Sequence, residues 1–224
     1  MNPLSQHFAT ICVSDLILVN EEGEVVIGDQ PINAAAFAIH SESNFTQVPF
    51  LLITFQAPEV LTKFTVHKAR PEIHAACHAH SVHGKAFSVF GRPLDMITQD
   101  SLRFYKSHGV YTQFGGIVLD REEGQRIASV LGDGKAVILQ NHGLLTVGRS
   151  VDEAAFWFMS LDKTCHAQLL ADAASAGSGY EKKIIGDEEA EFTYEQVGGS
   201  EKGWLAFQGY YDEILQRTGG SFLK

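Results

Sequence analysis

The sequence is poor in cysteine: Cys12, Cys77 and Cys165 are the only three in 224 residues. An odd, scattered set of that size does not build a disulfide framework, so buried inert thiols and a reducing compartment, the cytoplasm, are expected. Basic residues are also scarce, 17 Lys and Arg against 27 Asp and Glu, which gives a formal charge of -10. That balance excludes a general nucleic-acid or anionic-membrane surface, because such partners reward clustered positive charge. Long apolar runs are missing too. The longest, residues 48–55, is far too short to span a bilayer, and the first eight residues carry neither the basic nor the apolar part of a signal peptide. No Gly-X-Gly-X-X-Gly, Walker loop, Gly-X-Ser-X-Gly or internal repeat occurs, so nucleotide-binding and serine-hydrolase readings have no support.

What remains is a soluble globular composition, 45% apolar and 20% charged, long enough for one sizeable domain. Residues 15–28 read as a β-hairpin, two aliphatic runs around a polar turn ending in Gly23. Asn33 can cap a helix over 34–42 that places Phe37 and His40 on one face. Residues 43–65 mix breakers with one β-prone run and read as an insertion. The Asn44-Phe-Thr46 sequon within it lacks a secretory context. Pro71 closes a helix, 73–80 form a strand, and Ser81 can cap a helix to Phe90 with Val82, Ala86, Val89 and Phe90 facing inward.

Residues 91–115 read as loop-rich. A strand at 116–119, a helix capped by Asp120 and ending near Leu131, and strands at 135–140 and 144–148 follow. Ser150-Val-Asp-Glu153 is a capping box opening a long amphipathic helix to about Ala174. The expected division is a domain over 1–174 and a partly helical tail over 175–224 that starts with a Gly/Ser linker.

The chemistry concentrates at His78 and His80. Residues two apart on a strand share a face, so the two imidazoles converge. Alone, His-X-His is weak evidence, and more readily a pair of half-buried histidines with backbone partners. A third imidazole, His142, stands at the end of another strand in Asn-His-Gly, and the three together favour a divalent metal site with open coordination positions. Neutral imidazoles suit zinc, iron, nickel or copper. His74 lies a strand length away and His83 a helical turn onward, so surface or supporting roles are expected for both, while loop tyrosines such as Tyr111 are commonly interface anchors.

Five motifs occur in order: Ala-Ala-Phe-X-X-His at 35–40, Ala-Arg-Pro-X-X-X-Ala-X-X-His-X-His-Ser at 69–81, Tyr-X-X-Phe-Gly at 111–115, Asn-His-Gly-Leu-Leu at 141–145 and Ser-Val-Asp-Glu-Ala at 150–154. Together they resemble the class II aldolase/adducin family over roughly residues 2–174. The resemblance implies a three-layer α/β/α fold with a central β-sheet flanked by helices, and a homo-oligomer, a tetramer with sites between subunits. It implies His78, His80 and His142 as ligands of a divalent metal, zinc first and iron second, and Tyr111 as a catalytic proton donor.

The implied reaction is that of a lyase on a small hydroxy-carbonyl substrate through a metal-stabilised enediolate. Two alternatives accompany it: a non-haem iron oxygenase on the same scaffold, and a non-catalytic adducin-like module for protein association at the actin cytoskeleton. Three departures from the family pattern stand out. Ala36 occupies the position of the catalytic carboxylate and Glu42 does not replace it. Ala34 and Ala35 match serines that hold substrate phosphate. Family N-terminal elements are missing before Asn2, and 43–65 interrupts a helix, as a surface loop or, the expected case, a translated intron.

Overall fold

The structure, a computed structural model, describes residues 1–20, 23–32, 37, 70–113 and 121–224. The helix over 34–42 apart from Phe37, the insertion at 43–65, the helix before Pro71, the strand at 116–119 and the cap at Asp120 all fall outside the described residues.

The aliphatic runs of the N-terminal segment pair as expected. Strand β1 (Leu18–Val19) lies antiparallel to β2 (Val25–Ile27), and Gly23 adopts φ 84°, a left-handed conformation that glycine enters without steric cost.

A four-stranded sheet built from β3 (Ala75–Ala79), β4 (His108–Tyr111), β5 (Ala136–Leu139) and β6 (Gly143–Gly148) organises the rest, in the order β3-β6-β5-β4. Pairing is antiparallel between β3 and β6 and between β6 and β5, and parallel between β5 and β4. Every residue of β5 and β6 is buried, which explains their unbroken aliphatic runs: both faces are covered.

On one face Ile73, Tyr111, Val137, Leu139, Leu145 and Val147 meet Ile127 and Leu131 of helix α2 (Arg121–Leu131); the shorter helix α1 (Val82–Ser88) precedes it in the chain. On the other face Ala136, Ile138 and Leu144 meet Phe87 of α1 and Phe156, Trp157, Leu161 and Cys165 of α3 (Val151–Ser178). The result is the three-layer α/β/α arrangement, a mixed sheet between helices.

Two expectations are corrected. Residues 91–115 are not all loop, because His108–Tyr111 forms β4 and puts Tyr111 at a strand end; the His-Gly start of this short strand masks its β-prone Val-Tyr. The inward face of α1 is Gly84, Phe87 and Ser88, while Val82, Val89 and Phe90 are 67%, 53% and 58% exposed. Sterics decide this: a Cβ on Gly84 would stand 2.5 Å from the Leu144 side chain, so the helix approaches β6 by its smallest residue.

Helix α3 starts with the Ser150 half of the expected capping box, while the Glu153 carboxylate reaches one residue further back, to Arg149 rather than to the Ser150 N–H. Ser150 Oγ accepts from Glu153 N at 3.2 Å, while Glu153 Oε2 accepts from Arg149 N at 2.7 Å. It runs four residues past Ala174, through the Gly/Ser stretch, and ends at Gly179 with φ 74°. Helices α4 (Asp187–Val197) and α5 (Ser200–Thr218) follow. Helix α5 crosses α3 where Gly203 allows contact: a Cβ there would lie 2.6 Å from the Trp157 ring. Helix α4 is anchored at its C-terminal end by Lys135, whose buried Nζ donates to the Gly198 carbonyl and stands 4.1 Å from the Trp157 ring centroid.

The Ala-Arg-Pro motif has a structural use. Arg70 donates from its NH1 group to the carbonyls of Gly132 and Gly134 at 3.0 and 2.7 Å, just past the end of α2, and from Nε to Glu72 at 2.5 Å. The fork ties the approach to β3 onto the α2 layer. Arg70→Ala is expected to cost about 2 kcal/mol, since these are charge-assisted bonds. Arg70→Lys should recover little of it, because a point ammonium cannot reproduce the fork. Urea midpoints of the two variants check this.

Candidate metal centre

Sheet register delivers the three histidines to one end of the sheet. His78 pairs with Leu145 in the antiparallel β3–β6 ladder, and His80 follows Ala79, the last residue of β3. His142 sits in the tight turn between β5 and β6, closed by a bond from its own N–H to the Leu139 carbonyl at 3.0 Å. Asn141 takes φ 57° in that turn, a left-handed conformation that Asn enters more readily than most residues. Gly143 is required by proximity, because a Cβ would stand 2.6 Å from the Ala79 carbonyl oxygen. The Asn-His-Gly motif is thus the geometry that swings an imidazole from β5 over towards β3.

The candidate ligand atoms of His78, His80 and His142 all lie within 4.8 Å of one another. Ring centroids are 4.7 to 5.3 Å apart and the ring planes cross at 70° to 84°, so the imidazoles meet edge to face around one point. His78 Nδ1 is 2.8 Å from the Leu144 carbonyl oxygen. A carbonyl only accepts, so Nδ1 carries the proton and Nε2 keeps its lone pair.

Burial, with His142 adding to it, pushes the His78 pKa down to about 3; burial, with His80 adding to it, takes His142 to about 4. Burial first and Lys85 second also lower His80, the most exposed of the three. Three neutral imidazoles are a donor set suited to a borderline divalent ion such as zinc or iron, with the exposed His80 side left open. The residues present fit such an ion.

The other expected residues fall elsewhere. Tyr111 is buried under α2, its hydroxyl 3.5 Å from Glu123 Oε1 and 3.3 Å from Arg126 Nε. His74 lies at the other end of β3, where its N–H meets the Gly148 carbonyl. His83 bonds through Nδ1 to Asp162 Oδ2 at 2.8 Å and stacks on His166, with ring centroids 3.9 Å apart. Ser81 makes no side-chain cap bond to α1; the Gly84 N–H donates instead to Asp162 Oδ1 at 3.0 Å. Asp162 is 82 residues from His80 and carried no signal in the sequence. The thiols of Cys77 and Cys165 are pushed up to about 12 by burial, so neither offers a thiolate, and Cys12 is half-buried.

His108 belongs to the same pH response. Its Nδ1 faces the Phe104 carbonyl at 2.7 Å, its Nε2 accepts from Leu94 N at 3.0 Å, and burial lowers its pKa. A histidine whose folded pKa is depressed binds its proton later than the unfolded chain does, so stability falls as pH drops below the unfolded value of about 6.5. Loss should continue towards pH 4 as the unfolded chain protonates all four sites. The metal-free protein should therefore show a falling urea midpoint from pH 7 to 5. A flat midpoint over that range contradicts the burial of these rings.

Residues 59–169 match the family model described as "Class II Aldolase and Adducin N-terminal domain". The chain is 40% identical over 217 residues to a protein of Streptomyces niveus named "Decarboxylase NovR", covering 96% of this chain and 70% of that one. It is also 40% identical over 218 residues to "4-hydroxy-3-prenylphenylpyruvate oxygenase/4-hydroxy-3-prenylbenzoate synthase" of Streptomyces roseochromogenus subsp. oscitans, covering 97% and 69%. Among solved structures, an L-fuculose 1-phosphate aldolase from Glaciozyma antarctica PI12 superposes with a TM-score of 0.80 at 38% identity, over 100% of this chain and 76% of that one. The motifs, the sheet and these relatives agree, and the chain belongs to the class II aldolase/adducin family.

Proposed function

We propose that this chain is a divalent-metal enzyme of the class II aldolase type, a lyase that breaks a carbon–carbon bond in a small hydroxy-carbonyl substrate. The observation that carries this reading is the convergence of three neutral imidazoles at the open end of the sheet. A bound zinc or iron ion would supply Lewis-acid polarisation of the substrate's oxygens. The chain's own part is to hold the ligands neutral: Leu144 fixes the His78 tautomer, and the turn at Asn141 and Gly143 aims His142.

Tyr111 is the proposed proton donor, with Glu123 and Arg126 holding its hydroxyl. The exposed apolar residues Val82 of α1 and Val89 and Phe90 in the turn that follows it support assembly into an oligomer, a tetramer by family likeness. No helix among the described residues is long and apolar enough to cross a membrane, and the cytoplasm is the compartment proposed.

Alanine at 34, 35 and 36, where the family likeness implies phosphate-binding serines and a carboxylate, argues for an unphosphorylated substrate. The Streptomyces relative named as an oxygenase acts, by its name, on a phenylpyruvate, and imidazole ligands suit iron as well as zinc, which makes oxidative cleavage of a 2-oxo acid the second reading. The test is to load the protein with zinc or with iron and assay a panel of unphosphorylated hydroxy-carbonyl compounds and 2-oxo acids, with and without oxygen.

Cleavage without oxygen supports the lyase. Cleavage matched by oxygen uptake, with iron alone, replaces it by the oxygenase. A folded protein that binds neither metal would overturn both and leave protein association in the manner of adducin.

A further inference from the structure

We infer that Asp162 of α3 is a positioning residue for the histidine centre, acting on His78 and His80 through the start of α1. This rests on the reading of the three histidines as a metal centre. Asp162 touches none of them; its effect runs through the backbone that carries them.

Both carboxylate oxygens are used at the β3–α1 junction. Oδ1 accepts from the Gly84 N–H at 3.0 Å and Oδ2 bonds His83 Nδ1 at 2.8 Å. Ser81, in the cap position, makes no side-chain bond to the helix, so the carboxylate from α3 does the capping that the chain's own residue does not. Burial raises the Asp162 pKa, but its hydrogen bonds, those from His83 and Gly84 among them, outweigh burial and keep the carboxyl below the ordinary range. His166, one turn further along α3, stacks on His83 and holds that ring in place.

Two paths lead from this cap to the ligands. The first is covalent: the capped turn begins one residue after His80, so the direction in which the chain leaves β3 is set where Asp162 grips it. The second runs through packing. With Gly84 bonded to Asp162, α1 is pressed against Leu144, a position that leaves no room for a Cβ. The carbonyl of that same Leu144 accepts from His78 Nδ1 and fixes its tautomer. Loosening the cap lets α1 rise, frees Leu144, and releases the bond that keeps the His78 Nε2 lone pair available.

Asp162→Ala should weaken binding of zinc, measured by competition with a chromophoric chelator, by about tenfold, the low end of what loss of a group bonded directly to a ligand costs. Asp162→Asn retains an oxygen for the Gly84 N–H and should recover most of the affinity. A metal-free readout accompanies it: in imidazole ¹⁵N NMR spectra, assigned by loss of the signal in His78→Gln, His78 should be the Nδ1–H tautomer in the parent protein and a mixture in Asp162→Ala. Arg70→Ala, destabilised at the other end of β3, serves as the control and should change neither readout. If the parent protein binds no zinc, the metal reading fails and the tautomer alone decides the role of Asp162. An Asp162→Ala protein that keeps the His78 tautomer overturns the inference, as does one that binds zinc within twofold of the parent.

Discussion

His78→Ala should lower affinity for zinc or iron by more than about 100-fold, beyond what loss of an outer-sphere partner costs. Three imidazole nitrogens meet around one point, and none of the described carboxylates or thiols joins them. Removing one leaves two ligands and a space that water fills. His78 is the most consequential of the three because its lone pair is prepared in advance: the Leu144 carbonyl holds the proton on Nδ1, and burial keeps the ring neutral far into acid. His142→Ala should behave alike, whereas His74→Ala, at the opposite end of β3, should leave affinity unchanged. Equilibrium dialysis with elemental analysis measures all three, and circular dichroism shows whether each variant keeps its fold.

Trp157→Ala should be the largest single loss of stability, about 3–5 kcal/mol. Trp157 is fully buried, meets Phe104 and Phe156 edge to face with centroids 6.2 and 5.2 Å away, and donates from Nε1 to Glu153 Oε1 at 3.0 Å. Its ring also receives Lys135 and lies against Gly203 of α5, so one side chain joins the sheet, α3, α4 and α5. Truncation leaves a cavity, an unpaired carboxylate oxygen and a buried ammonium without its aromatic face. The melting temperature should fall by roughly 10 °C for a chain of this size. Lys135 immediately precedes β5 and His142 follows its end, so the lesion lies at the far end of the sheet from the histidines. Metal affinity measured well below the melting point should therefore be preserved, separating a stability residue from a site residue.

The parts of this molecule legible in the sequence are those set by local rules. The hairpin around Gly23, the buried aliphatic strands β5 and β6, and the N-cap at Ser150 follow from patterns spanning a few residues. The histidine set was legible because strand alternation fixes His78 with His80, and because Asn-His-Gly has the composition of a turn needing a left-handed residue and a close approach. What could not be read was set by partners distant in the chain. Helix α1 carries an apolar stripe at helical spacing, yet the glycine that allows contact with Leu144 decides which side faces the sheet. Strand β4 exists because β5 pairs with it, and the cap of α1 comes from a carboxylate on another helix. Tyr111 carries a family likeness, but its packing under α2 beside Glu123 and Arg126 is a tertiary fact.

The most direct test of the central claim is metal analysis of the purified, reconstituted protein combined with X-ray absorption spectroscopy of the bound ion. The account predicts one divalent ion per chain, coordinated by three imidazole nitrogens at about 2.0–2.1 Å, with the remaining positions filled by oxygen. A folded protein that takes up no ion contradicts it, as does an ion whose scattering shows sulfur ligands or persists unchanged in His78→Ala.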